Sequence, residues 1–379
     1  MKKVAVLTTH RADNYGAALQ SYALTHVARR LGADCEILDY RTPSFEATYH
    51  KAIPWGKRWR VWPALLHHRY IRDARTIKAF SDFRNQRMII SAESYTCSQQ
   101  LEEIQDCYDL FLAGSDQIWN PAITGKDLAT FDRTYLLDFV KSGEKKASYA
   151  ASIGISNVDD ALADVYRQYL SDYSTLTVRE HRAAEILREI LGRDVTPVCD
   201  PVLLMTGSEW QEVERPVALE NDDYILVYNV CDTRSGMNME QYAMQLAQER
   251  GCAVYFIQPP IAANVSTHKD LLLTGVGPAE FVWLIRNARE LVTTSFHGTA
   301  FALTYGKRIH LKMEASALKT QRNSRILSLI RYFGLDEEQV QHGANPDYPT
   351  AVLSPEPKNQ ACIEAVRQFS TELLLKMIQ

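Results

Sequence analysis

The feature that most constrains this chain is a recurring alternation of short apolar runs with stretches of helix length. Residues 4–7 read as a strand buried on both faces, residues 15–31 as a helix ended by Gly32, and residues 35–39 as the next strand. A short run apolar throughout suits a parallel sheet covered on both sides by helices. Further strands are expected at 110–113, 146–150, 176–178 and 195–199. After a polar stretch the register restarts: strand 224–229, helix 237–250, strand 253–258, helix 278–288, strand 290–294. Repeated βα units predict an α/β fold with doubly wound parallel sheets. Two successive sets predict two Rossmann-like domains, residues 1–205 and 222–355, and a terminal helix within 356–379 that packs back on the core.

Composition narrows the function. The 379 residues carry a net charge of −4, so nothing in the total charge points to nucleic acid. Cysteines stand at 35, 97, 107, 199, 231, 252 and 362 with no CxxC pair. That spacing argues against a zinc site or a disulfide framework and fits a reducing cytoplasm. The apolar run at 4–7 is too short for a signal peptide, and no later run reaches spanning length. A soluble, cytoplasmic protein with no metal is expected. Residues 51–87 stand apart: ten Lys/Arg against two acids, interleaved with Trp55, Trp59, Trp62, Tyr70, Phe80 and Phe83. One reading is peripheral docking, at the inner face of the membrane, on anionic lipid or on a sugar carried by a lipid phosphate. The other is a solvated helical insertion, about 51–90, whose aromatics pack on the first domain.

Four stretches could carry chemistry. In residues 290–306 a strand ends at Ser295 and an apolar helix starts near Gly298, which leaves His297 on the turn between them. Carboxyl ends of strands are where open α/β sheets bind ligands. A helix start there offers free amides and a positive dipole end to an anion, beside an imidazole able to move a proton. The plainer alternative is a buried, hydrogen-bonded histidine at a helix N-terminus. In residues 13–20, Asn14 can cap a helix and Gly16 allows a ligand close to the backbone, or the stretch is simple capping. No GxGxxG fingerprint is present. Gly114-Ser115-Asp116-Gln117 follows another apolar strand, suits sugar hydroxyls and offers Asp116 as a base; otherwise it is an Asx-type turn over Trp119. Arg179 ends a short strand and could clasp phosphate or carboxylate, or form a structural ion pair with Glu180 or a neighbour.

In order along the chain, Asn-Tyr-Gly-Ala at 14–17, Gly-Ser-Asp-Gln-Ile-Trp-Asn at 114–120, Tyr-Ala-Ala-Ser-Ile-Gly at 149–154, Val-Arg-Glu at 178–180, Asp-Pro-Val-Leu-Leu at 200–204, Ser-Phe-His-Gly-Thr-Ala at 295–300 and Asn-Ser-Arg-Ile at 323–326 resemble the polysaccharide pyruvyl transferase family. The ordered set is specific, although no one motif is. The resemblance implies two Rossmann-like domains facing a cleft, the glycosyltransferase-B arrangement. It implies transfer of a pyruvyl group from phosphoenolpyruvate to two hydroxyls of a sugar, free or lipid-linked, in a cell-surface polysaccharide. Phosphoenolpyruvate is then a substrate, and no cofactor is expected. On that reading His297 and Asp116 are catalytic. Arg179, Ser295, Gly298, Thr299 and Arg325 hold the donor, and Asn14, Tyr15, Gly16, Ser115 and Gln117 meet the acceptor. One departure stands out. Well-studied family members carry arginine two residues before the histidine, where this chain has Ser295, so a donor charge contact is missing or comes from elsewhere, such as Arg322 or Arg325. Two rivals remain: a glycosyltransferase with a nucleotide-sugar donor, disfavoured because no acid lies between His297 and Glu314, and a non-catalytic glycan-binding relative.

Overall fold

The computed structural model describes residues 1–42, 64–230, 233–260, 268–313, 323–336 and 351–379, with backbone alone at 64–73, 233–237 and 269. The strands of the first half are β1 (Lys3–Leu7), β2 (Asp34–Tyr40), β3 (Ile90–Tyr95), β4 (Leu110–Ala113), β5 (Lys146–Ala151), β6 (Thr175–Val178) and β7 (Thr196–Pro197). Those of the second are β8 (Tyr224–Tyr228), β9 (Ala253–Ile257), β10 (Glu290–Thr293), β11 (Arg308–Leu311) and β12 (Ala351–Leu353). Among the described residues they form two sheets, ordered β3-β2-β1-β4-β5-β6-β7 and β12-β11-β10-β8-β9. Every described pairing is parallel except that of β12 with β11.

Each sheet reverses its direction of growth once: between β1 and β4 in the first, between β8 and β10 in the second. At such a switch point the loops leave to opposite faces and open a crevice at the carboxyl strand ends. Both crevices in this chain give onto the same space.

The main helices are α1 (Tyr15–Arg30), α2 (Ala64–Arg87), α3 (Asp160–Leu170), α4 (His181–Leu191), α5 (Thr233–Arg250), α6 (Pro278–Asn287), α7 (Phe296–Thr304), α8 (Ser324–Tyr332) and α9 (Pro357–Ile378). A continuous apolar cluster runs through both halves, from Val4 and Leu24 to Leu226, Phe281 and Leu303. Tyr15 is its pin. Its ring stacks on Phe281 at 4.6 Å, and its hydroxyl donates to the carbonyls of Gln258 and Val276. Helix α9 returns across both halves: Arg367 donates to the Leu203 carbonyl at 2.7 Å, and Gln360 donates to that of Leu303 at 2.7 Å. Among the described residues no helix is long and apolar enough to cross a membrane.

The structure departs from the sequence expectations at edges and ends. Strand 195–199 shrinks to Thr196–Pro197, because Pro197 has no N–H to give and sits at a sheet edge. Helix α7 begins at Phe296 rather than near Gly298, since the Ser295 hydroxyl caps it by accepting from the Gly298 amide at 3.2 Å. His297 therefore lies in the first helical turn, not on the loop before it. Strands β3, β11 and β12 were not anticipated. Residues 43–63, with Trp55, Trp59 and Trp62, lie outside the described residues. Phe80 and Phe83 of α2 are buried against Tyr15 and Tyr22, which is the packing alternative for that part of the basic segment.

Candidate active site between the two sheets

The two switch points enclose a cavity of about 240 Å³. Thr9, Asn14, Asp116 and Gln117 line it from the first half; Ser295, His297, Lys312 and Arg325 line it from the second. Lys312 directly follows β11, and its amide donates to the Thr293 carbonyl at 3.0 Å, so it stands beside the end of β10. The amides of Phe296 and His297 open α7 and have no acceptor within the helix. One wall therefore combines two cationic side chains with a helix N-terminus, an arrangement suited to an anion.

Beneath that wall lies a buried charge network. The Asp200 carboxylate accepts from Arg179 Nη1 at 2.8 Å, from the Ser115 hydroxyl at 3.1 Å and from the Val202 amide at 3.1 Å. His297 Nε2 is 3.6 Å from the same carboxylate, just beyond hydrogen-bond length. Burial alone would raise the Asp200 carboxyl. The His297 ring and the Arg179 guanidinium outweigh burial and hold it below the usual carboxylate range. Arg179 Nε donates to Glu180 at 3.3 Å, and its guanidinium lies 4.5 Å from the centroid of the Phe296 ring. Burial disfavours the Arg179 charge, yet Glu180 and Asp200 push its pKa up further still, so the cation is permanent.

His297 Nε2 is buried against Asp200 without a hydrogen bond, and Nδ1 lies against Gly16 of α1. The reason Nδ1 has room is Gly16. A Cβ on that residue would lie 1.9 Å from His297 Nδ1 and 2.4 Å from two further ring atoms. Helix α1 thus lacks a side chain at the one place where the imidazole of α7 passes.

Asp116 lines the same cavity from the first half. Its φ of 77° is left-handed, a conformation that a non-glycine residue rarely adopts. The turn holds it there: its carbonyl accepts from Ser152 and Ile118, and its carboxylate accepts from the Gln117 amide at 2.9 Å and the Thr9 hydroxyl at 3.1 Å. Strain of this kind concentrates at functional sites. Asp116→Gly and Asp116→Ala both lose the two carboxylate bonds, but only glycine sheds the strain. The glycine variant is expected to be the more stable by about 1–2 kcal/mol in urea titrations. Equal stability of the two would argue that the backbone at 116 is relaxed.

Of the residues marked in the sequence, His297, Asp116, Ser295, Arg325, Asn14 and Gln117 meet at the cavity. The others sit behind it. Arg179 is 1% exposed and committed to Asp200 and Glu180, the ion-pair alternative, so it does not reach the cavity; it and His297 converge on one carboxylate. Ser115 is buried on Asp200, and Tyr15 is spent on backbone carbonyls. Gly16 seats the imidazole. Gly298 lets the α7 turn pass Thr293 and Tyr228, and Thr299 donates back to the Ser295 carbonyl at 2.8 Å. Arg322 lies outside the described residues. Sequence reasoning missed Asp200, Lys312 and Thr9. Lys312 had a signal, a lysine directly after the alternating stretch Ile309-His310-Leu311, in a strand that went unread. Removing Arg179 would leave two buried carboxylates facing each other. Arg179→Met is expected to cost about 3–5 kcal/mol in urea unfolding, and a loss under about 1 kcal/mol would contradict this role.

At the end of β2, where dinucleotide folds place an acid on a ribose, stands Asp39. It is already engaged by His10 Nε2 at 3.2 Å and Arg41 Nε at 2.9 Å.

Fold and site together define a two-sheet α/β protein with one polar, cation-walled cavity shared by both switch points. The sequence model of the polysaccharide pyruvyl transferase family matches residues 14–309, more than three quarters of the chain. The chain belongs to that family and is a transferase. No curated protein matches it. Among solved structures it is similar to the UDP-GlcNAc 2-epimerase of Methanocaldococcus jannaschii, at 12% identity over 97% of this chain and 99% of that one, with a TM-score of 0.49. It is also similar to the UDP-GlcNAc 2-epimerase of Neisseria meningitidis bound to UDP-GlcNAc, at 11% identity over 98% and 100%, TM-score 0.45. A third is Arabidopsis thaliana UGT89C1 complexed with quercetin, at 13% identity over 99% and 92%, TM-score 0.42. Likeness at this level says nothing of the reaction.

Proposed function

We propose that the protein transfers a pyruvyl group from phosphoenolpyruvate to two hydroxyls of a sugar in a cell-surface polysaccharide or its precursor. The observation that carries this reading is the division of the cavity: cations, a helix N-terminus and His297 backed by Asp200 from the second half, the Asp116 carboxylate on a left-handed backbone from the first. The donor has a phosphate and a carboxylate, which Lys312, Arg325 and the first amides of α7 would hold.

His297, its Nε2 turned to Asp200, delivers a proton from Nδ1 to the methylene carbon. The double bond is consumed and the adjacent carbon becomes electrophilic. A sugar hydroxyl attacks that carbon as Asp116 takes its proton. The second hydroxyl then displaces phosphate, its proton leaving with the phosphate, and the products are a cyclic ketal and inorganic phosphate. Asp200 and Arg179 touch no substrate; they position the imidazole.

Thermal unfolding tests the donor. Phosphoenolpyruvate at about 100 Kd should add roughly 2.7 kcal/mol of stability, whereas UDP and UDP-sugars should add none. Stabilisation by UDP alone would favour a nucleotide-sugar glycosyltransferase. With an acceptor in hand, His297→Ala should cut phosphate release by roughly 10²–10⁴-fold.

A further inference from the structure

Helix α2 carries a residue that reaches the site from behind. Arg84 is 4% exposed, and its Nη1 donates to Asp13 Oδ1 at 2.7 Å; the Asp13 side chain is fully buried. Asp13 immediately precedes Asn14, which caps α1 by accepting from the Gly16 and Ala17 amides and itself lines the cavity. Gly16 in turn bounds the His297 ring. The same loop begins at Thr9, whose hydroxyl donates to Asp116. One short segment, residues 9–16, thus touches both groups proposed to move protons.

We propose that Arg84 is a positioning residue, and that the buried Arg84–Asp13 pair sets the 9–16 segment so that His297 and Asp116 keep their places at the cavity. A buried ion pair is weak ground for stability, because apolar replacements of the same size often serve as well. What it supplies is a fixed register, since a desolvated carboxylate accepts only the arrangement that pairs it. The rest of α2 is anchored apart from residues 9–14, by Phe83 on Tyr22 and by Thr76 accepting from the Gly275 amide at 3.2 Å. Loss of the pair would therefore free the loop while the helix stays seated. The inference rests on the reading of His297 as the acid.

The test is a neutral pair, Asp13→Asn with Arg84→Gln, checked for folding by near-UV circular dichroism. His297 ring resonances, assigned through a His297→Gln control, and calorimetric affinity for phosphoenolpyruvate are then measured. The folded double variant should show shifted His297 resonances and at least tenfold weaker donor binding, and Arg84→Lys should recover part of both. Unchanged resonances and affinity in the folded double variant would overturn the proposal. If the neutral pair does not fold, Arg84→Lys alone carries the comparison with wild type: shifted resonances support the role and unchanged ones oppose it. Failure of wild type to bind phosphoenolpyruvate would count against the donor, while the resonances would still report on Arg84.

Discussion

Gly16→Ala is expected to remove most activity while leaving the protein folded. The added Cβ would sit 1.9 Å from His297 Nδ1, and real Cβ contacts essentially never fall under 3.0 Å. The ring, a side chain in the first turn of α7, must move by more than 1 Å to relieve the clash. Overpacking of this kind costs about 1–3 kcal/mol, partly offset because alanine is about 1 kcal/mol better than glycine inside a helix. Displacing an acid by about 1 Å costs on the order of 10²-fold in rate. The variant should therefore unfold within about 2 kcal/mol of wild type, by urea titration, and turn over about a hundredfold more slowly. A fully active Gly16→Ala protein would show that Nδ1 has no part in the chemistry.

Asp200→Asn is expected to have an effect of similar or larger size by a different route. Asparagine keeps the shape and the bond from the Val202 amide but loses the charge that faces both His297 and Arg179. A neutral partner no longer stabilises the imidazolium, so turnover should fall by roughly 10²–10⁴-fold. Stability should fall as well, by about 3 kcal/mol near neutral pH, because Arg179 keeps only Glu180. The pH dependence separates this network from a generic loss. The folded-state pKa of Asp200 lies below its unfolded value, so its contribution is complete above the ordinary carboxylate pKa of about 3.9. It is lost as pH falls below that value towards the depressed one. Wild type should weaken steeply in that acid range, and Asp200→Asn should weaken less steeply, in urea melts taken from pH 2.5 to 7. Parallel curves would mean that Asp200 is not the group held down.

The sheet architecture was legible because buried parallel strands are apolar throughout. Residues 110–113 are β4 to the residue, and the run at 4–7 is β1 less one terminal residue. Strand β3, Ile-Ser-Ala-Glu-Ser-Tyr, went unread because an edge strand exposes its polar residues and breaks the apolar run. The switch-point residues His297 and Asp116 were legible because a polar group directly after an apolar strand has few other reasons to be there. Arg179 was legible as one half of an ion pair with Glu180, but not its second partner. It ends a strand too, but its neighbour in space is Asp200, which follows Cys199 some 20 positions on, and sequence order does not report that meeting. Small residues were the hardest to read. Gly16 resembles a gap for a ligand, and the gap is filled by this chain's own imidazole.

The most direct measurement is a crystal structure of the protein soaked with phosphoenolpyruvate. The phosphate or the carboxylate should lie against the first amides of α7 between Lys312 and Arg325, with the methylene carbon about 3–3.5 Å from His297 Nδ1. Donor bound elsewhere, or bound here with that nitrogen turned away from the methylene carbon, would contradict the assignment of His297 as the acid.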